Sequence, residues 1–233
     1  GTLGIGEIVP ETVAAQDMMG GVGVSFTNTF YNNQINPALL VKNRVINGNK
    51  YVGFSVGYNG AFNRLQQGAK YQENFGFALN NLSIAFPILN KWAMSLNLRP
   101  YSVAEFSTNK NVGFTNSNAT NTVENTVTGG ITRVSWSNSV QLGKKVYLGI
   151  EAQHLFGNIV KDTTTGITNS AEFYRNSSRV SLKGNTIKAG IGYTQNINKK
   201  WHLNFGGIYQ LGTSLVGSDL RTFSILNNQG NGP

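Results

Sequence analysis

The sequence contains no cysteine, so disulfides and thiolate metal sites are excluded. It also lacks any run approaching the roughly 18 consecutive apolar residues that a membrane-spanning helix needs, so we do not expect a helical membrane protein. Only two histidines are present, His154 and His202, and the ten carboxylates are scattered along the chain. Catalytic triads and metal sites need such groups to converge. We therefore expect no enzyme, no metal site and no cofactor.

Charge is scarce as well. Charged residues make up 12% of the 233 residues, about half of what soluble domains carry. The balance is basic, with a formal net charge of +9. The 19 basic residues are spread along the chain and recur at turns, whereas a nucleic-acid-binding protein usually clusters them on one patch. We therefore expect outer-membrane lipid and lipopolysaccharide, not nucleic acid, as the partners of this charge.

What the chain does have is alternation of apolar and polar residues with a period of two. In 92–99, Trp92, Met94, Leu96 and Leu98 alternate with Ala93, Ser95, Asn97 and Arg99. This period predicts strands that have one apolar and one polar face. Seven such strands are predicted, at 51–63, 75–88, 92–106, 126–142, 146–160, 180–195 and 201–215.

The connections between these strands alternate in length. Three short basic turns, at 89–91, 143–145 and 198–200, alternate with long connections rich in Asn, Ser and Thr at 65–73, 107–125 and 161–183. Short periplasmic turns and long outer loops are typical of an up-and-down transmembrane β-barrel. The predicted fold class is therefore an all-β, antiparallel barrel in the bacterial outer membrane. A sandwich or lipocalin-like barrel in water is the alternative.

Seven strands are an odd number, and single-chain bacterial barrels have an even number of strands. An open sheet edge in hydrocarbon would leave backbone groups unpaired. Residues 220–233 read as a loop that leads onward. We therefore predict that the chain is the N-terminal part of a larger barrel, with a missed strand in an eight-stranded barrel as the alternative.

Several short segments resemble the FadL-like outer-membrane transport proteins, in the form found in Gram-negative bacteria of the Bacteroides–Flavobacterium type. The MGGVGV segment at 19–24 and the NPAL segment at 36–39 both precede the first predicted strand. The other matching segments are GIGEI at 4–8, AFPI at 85–88, LRPYS at 98–102 and HLFG at 154–157.

This resemblance implies a barrel of about 14 strands. Residues 1–43 would form a hatch inside the lumen, and residues 44–233 would form the first seven or so strands. It also implies uptake of hydrophobic small molecules such as long-chain fatty acids. The candidate ligand and hatch residues are Met18, Met19, Gly20, Gly21, Asn36 and Pro37. Two alternatives remain open: an accessory or structural barrel in a larger envelope complex, with other envelope proteins as partners, and a general porin.

Polar residues in the inward register form a second set of candidates. Asn97, Arg99, Arg133, Glu151 and Gln153 are predicted to face the lumen, and Glu105 is assigned to the same register. Such charges could select a solute or tether the hatch. Equally, they could form interior ion pairs that only stabilise the packed lumen, because hatch and wall must satisfy each other's polar groups.

The whole interpretation depends on one expectation. Phe54, Leu96, Ile150 and Phe205 should point outward, and the small and hydrophilic side chains should point inward.

Overall fold

The computed structural model describes residues 4–28, 32–67, 70–113, 120–167, 172–198 and 201–227. It is mostly antiparallel β-strand (73%), arranged in a curled half-barrel sheet. Within these residues, no helix is both long enough and apolar enough to cross a membrane.

The N-terminal elements are short. They are β1 (Glu7–Ile8), α1 (Ala14–Asp17), a 3-10 turn (Pro37–Leu39), α2 (Leu40–Arg44), β2 (Val45–Ile46) and β3 (Asn49–Lys50). The sheet itself follows. Its strands are β4 (Gly53–Gln67), β5 (Lys70–Leu89), β6 (Trp92–Gly113), β7 (Thr120–Leu142), β8 (Val146–Ile167), β9 (Glu172–Asn196), β10 (His202–Gln210) and β11 (Val216–Asn227).

Neighbouring strands in the sequence are neighbours in the sheet, from β4 through to β10. Both β10 and β11 pair with β9, β10 along Lys188–Asn196 and β11 along Glu172–Lys183. Together they act as one interrupted strand at the edge of the sheet. The seven predicted strands therefore occupy the seven positions of this sheet, in the predicted order. The fourteen-stranded barrel remains a prediction.

The predicted long loops are largely wrong. β6 and β7 stay paired as far as Gly113 and Thr120, and β8 and β9 as far as Gly166 and Phe173. Residues 220–227, predicted as part of a loop, belong to β11. The cause is that Thr, Asn and Ser on both faces remove the apolar alternation without preventing backbone pairing, and threonine favours strands. Two short turns lie where predicted, and Lys199 and Lys200 of the third lie outside the described residues.

The sheet has a polar face and an apolar face, and side chains alternate between them. On β6, Ala93, Ser95, Asn97 and Arg99 are buried. The four residues predicted to point outward, Phe54, Leu96, Ile150 and Phe205, are 70%, 47%, 53% and 58% exposed. That prediction is confirmed. A sandwich in water would bury these side chains between its sheets, whereas the described sheet leaves them exposed.

A β-bulge on β6 lies between Pro100 and Ser102, where Tyr101 is the extra residue. Beyond it Ser102 and Ala104 are buried, whereas Glu105 is exposed. The assignment of Glu105 to the inward register is therefore wrong, because one inserted residue exchanges the two faces.

The ladder between β5 and β6 ends at Leu82 and Leu98, and β1 pairs with β6 just beyond, at Val103 and Ser102.

Candidate functional site

The described residues from 4 to 46, here called the N-terminal segment, lie against the polar face. The 3-10 turn contacts β7, β8 and β9, and α2 contacts β5, β6 and β7. A small apolar cluster is formed at this contact by Ala38, Leu40, Val41, Ala85, Ala93 and Tyr147. The interface between the N-terminal segment and the polar face is the most elaborate arrangement of buried groups described, and it is our candidate site.

Asn36 and Pro37 anchor the 3-10 turn. The Asn36 Oδ1 atom accepts a hydrogen bond from the Ala38 backbone N–H at 3.0 Å, which caps the turn. The Asn36 Nδ2 atom donates to the carbonyl oxygens of Val24 at 2.6 Å and of Ile191 in β9 at 3.0 Å. Asn36 is fully buried. One amide side chain therefore joins the turn, the preceding irregular stretch around Val24 and the sheet wall.

The sheet accommodates this turn with two glycines. Gly149 and Gly190 are directly paired across β8 and β9. A Cβ atom on Gly149 would overlap backbone atoms of Pro37 and Ala38, and a Cβ on Gly190 would overlap the Asn36 side chain. Glycine in a strand interior often marks a place where another backbone approaches closely. These two glycines form a flat floor for the Asn36–Pro37–Ala38 turn.

α2 is held by polar side chains of three strands. The Ser139 hydroxyl donates to the Ala38 carbonyl at 2.6 Å and accepts from the Val41 N–H at 3.2 Å. Lys42 Nζ donates to Thr194 Oγ1 at 3.2 Å and to Asn204 Oδ1 at 3.0 Å. The helix is thus tied to β7, β9 and β10, which fixes its position on the face.

A network of buried charges lies deeper in the interface. Glu11 of the N-terminal segment forms ion pairs with Arg133 on β7 and with Lys188 on β9, the latter at 2.7 Å. Lys188 Nζ also lies 3.2 Å from Glu151 Oε1 and donates to the Gln34 carbonyl at 2.9 Å. Arg133, Lys188 and Glu151 are almost fully buried. One carboxylate of the segment therefore bridges two strands that are not adjacent.

The remaining predicted inward residues extend this network. Ser137 and Gln153 donate to Glu151, each at 2.5 Å. Arg99 donates to Gln34 Oε1 at 2.9 Å and to the Pro10 carbonyl. Asn97 lies apart, where its side-chain amide donates to Ser95 and Ser135. The structure thus brings Arg99, Arg133, Glu151 and Gln153 together around the segment.

Sequence reasoning missed Glu11, Gln34 and Lys188. Lys188 could have been found, because it stands between Ile187 and Ala189 in the alternating register of its strand. Glu11 and Gln34 lie in a stretch without periodicity, so no pattern identified them.

The charge state of Glu11 follows from its surroundings. Burial by itself would raise the pKa of this carboxyl, but the charges of Arg133 and Lys188 and the hydrogen bonds from both outweigh burial. The pKa of Glu11 therefore lies below the ordinary 4.5. At neutral pH the Glu11 carboxylate is therefore ionised, in keeping with its ion pairs to Arg133 and Lys188.

The other hatch candidates lie outside this network. Met18 is 82% exposed, and Met19 is also exposed. Gly20 and Gly21 have positive φ of 74° and 80°, which lets the chain turn back after α1. A ligand-binding role for Met18, Met19, Gly20 and Gly21 remains a prediction. In the described part of the chain, no group of three or more histidine or acidic side chains is placed to hold a metal ion.

Comparison with known proteins gives one match. The BamG family matches residues 1–232, nearly the whole chain, and the chain belongs to that family. No curated protein and no solved structure matches it. BamG is related to the Bam complex, and the family implies a protein associated with the outer membrane.

The resemblance to FadL-like transport proteins is therefore wrong, since the matching family is BamG and no FadL family matches. The fatty-acid uptake inferred from it loses its support. The physical reason is that the shared segments are structural. A capped Asn-Pro turn, a glycine-rich stretch and alternating strands suit any barrel wall with a segment packed on its polar face.

Proposed function

We propose that this chain is an accessory subunit of the outer-membrane Bam complex. In this role its apolar face contacts lipid, and its own N-terminal segment fills the polar side of the wall. Membership of the BamG family carries the assignment to the complex. The exposed apolar face of the sheet and its covered polar face support a position in the membrane.

The apolar face supports lipid contact. Large exposed apolar side chains occur on every long strand of the sheet, among them Phe54, Ile84, Leu96, Trp136, Ile150, Ile191 and Phe205. A contiguous apolar surface of this extent on a protein in water would be an aggregation liability, whereas outer-membrane barrels carry such a band toward lipid. Among the described residues of the sheet, the buried charged side chains Arg99, Arg133, Glu151 and Lys188 lie on the opposite face.

The interface with the N-terminal segment supports a structural role. Buried charges are tolerated where ion pairs and hydrogen bonds compensate their lost hydration. Here Glu11 and Glu151 compensate the buried Arg133 and Lys188, and Gln34 and Pro10 contact Arg99. A segment held by buried ions on three strands is suited to bracing the wall. We propose no catalytic role.

Co-purification tests the proposal. An affinity-tagged full-length chain is extracted from native outer membranes in a mild detergent, and the proteins that elute with it are identified and quantified by mass spectrometry. We expect the subunits of the Bam complex in fixed stoichiometry with the tagged chain.

An unrelated outer-membrane barrel that carries the same tag is the control and should not recover those subunits. Elution of the tagged chain alone, at the size of a single barrel, would contradict the proposal. A second preparation, with the tag on a Bam subunit, shows whether the association was lost during extraction. If it was not lost, the two preparations contain the same proteins.

A further inference from the structure

The acidic residues are distributed unevenly along the barrel axis. The chain has ten of them, and none falls in residues 46–53, 84–96, 137–150, 189–198 or 201–206, the described stretches at the short-turn end of the sheet. The same stretches carry Lys50, Lys91, Lys144 and Lys145, here called the short-turn rim, and the sequence adds Lys199 and Lys200 between Asn198 and Trp201. This end of the sheet is therefore purely basic.

The four rim lysines are exposed. Lys50 Nζ donates to the Ile88 carbonyl at 3.3 Å, and Lys145 Nζ donates to Gln195 at 2.6 Å. Among the described residues, none of the four forms an ion pair with a carboxylate. Within the described part of the chain, no carboxylate therefore compensates their positive charges.

The opposite end differs in this respect. Ion pairs with at least one exposed partner form there between Arg64 and Glu73, between Arg175 and Asp162, and between Arg221 and Asp219. These three arginines have an anionic partner within the chain, so an outside anion gains less by approaching them. The attraction for an anionic partner is concentrated at the short-turn rim.

Exposed apolar residues lie close to the rim lysines in the sequence. Val52, Leu89 and Leu142 are each two positions from a rim lysine, and all three are exposed. A lysine that extends from an apolar surface keeps its stem in the apolar layer and its ammonium at the polar boundary. This combination fits the boundary between acyl chains and headgroup phosphates.

We propose that the short-turn rim binds the headgroups of anionic phospholipids in the leaflet that adjoins the short turns. The inference rests on the proposed membrane location. Each lysine near an anionic membrane surface contributes about 1 kcal/mol, which is about a fivefold preference. Short turns lie on the periplasmic side of such barrels, so the ligands are phospholipids and not lipopolysaccharide.

The placement of the lysines favours lipid over an acidic protein. They lie on successive connections, before β4, between β5 and β6, and between β7 and β8. They are therefore spread along the rim, where a membrane surface would meet all of them. An acidic protein partner would be served better by a compact patch with apolar residues at its centre and charges around it.

Lipid retention tests the rim. The full-length protein is reconstituted into vesicles of phosphatidylethanolamine with a minority of phosphatidylglycerol, re-extracted gently, and its retained lipids are quantified. The rim variant K50Q/K91Q/K144Q/K145Q is compared with the control K110Q/K161Q/R179Q/K183Q. The control neutralises the same number of positive charges away from the short-turn rim.

We expect the wild type to be enriched in phosphatidylglycerol. The rim variant should lose about fivefold or more of that enrichment, and the control should lose less than twofold. Added salt should weaken the enrichment in the wild type, because exposed charges are screened.

Each other outcome contradicts a defined statement. Wild-type protein that inserts into vesicles without enrichment, or a rim variant that keeps it, overturns the rim proposal alone. A rim variant that keeps its phosphatidylglycerol but no longer co-purifies with Bam subunits assigns the rim to an acidic protein instead. Wild-type protein that fails to float with vesicles of either composition contradicts the membrane location and with it both proposals.

Discussion

The two ends of the sheet are built differently, although the same strands run through both. Toward the short turns of β6 and β7, buried positions alternate with half-buried or exposed ones, and the N-terminal segment covers the polar face. Toward the long connections, residues 105–111 of β6 are all exposed. The difference shows that the polar face is buried by the segment and not by the sheet itself. In the short-turn half the N-terminal segment packs on the polar face of the sheet. In the long-connection half, as β6 shows, both faces of the strand are exposed.

The largest effect should come from Glu11, which bridges Arg133 and Lys188. We expect Glu11→Gln to lower the free energy of unfolding by about 3 kcal/mol, because buried cations lose their counter-charge. Equilibrium unfolding in urea, with lipid vesicles present, measures this. Glu73→Gln is the matched control, since it removes the exposed pair with Arg64 in the other half and should cost about 0.5 kcal/mol. Equal losses in the two variants would contradict the contrast between the halves.

The glycine floor should give the next largest effect. Gly149→Ala places a methyl group against the backbone of Pro37 and Ala38, and overpacking of this kind costs about 2 kcal/mol. We also expect faster proteolysis of the N-terminal segment. Gly76→Ala is the control, because a Cβ atom there meets nothing within 4 Å. A stable Gly149→Ala variant with an unchanged digestion pattern would show that the turn does not rest on this floor.

Substitutions of Asn36 should have a smaller effect on stability. Two variants separate the contribution of the cap from that of the other two hydrogen bonds. Asn36→Ala removes the cap and the two hydrogen bonds to Val24 and Ile191, and we expect a loss of about 1–2 kcal/mol. Asn36→Ser keeps a cap acceptor but not the two donors, so it should fall between alanine and wild type in the same unfolding experiment. If serine is no better than alanine, the cap does not contribute.

The same contrast explains how much the sequence could reveal. Alternation around Trp92–Leu98 identified the strands, their order and both faces, because one buried and one lipid-type face imposes a period of two. In parts of the other half, polar residues occupy both faces, so the pattern disappears, and residues such as Thr122 and Thr165 were read as loop. The alternation of apolar and polar residues can therefore disappear while backbone hydrogen bonds between the strands continue.

The site was only partly predictable for a related reason. Arg99, Arg133, Glu151 and Gln153 were identified because strand register specifies where they point. The bulge at Tyr101 has no sequence signature of its own, so Glu105 was placed on the wrong face. Glu11 belongs to a segment whose position depends on tertiary contacts alone. No local pattern records which strands it bridges.

The smallest effect should be that of mild acid, and it tests the charge network directly. The pKa of Glu11 in the folded protein lies below 4.5, so its stabilising contribution is present above pH 4.5 and is lost as pH falls through the folded value. The difference in unfolding free energy between wild type and Glu11→Gln should therefore stay constant from pH 7 to pH 5 and shrink only below 4.5. A difference that already closes near pH 6 would mean that burial, which raises the pKa, outweighs Arg133 and Lys188. The segment would then be released by mild acid, and the contrast between a packed half and an open wall would depend on pH.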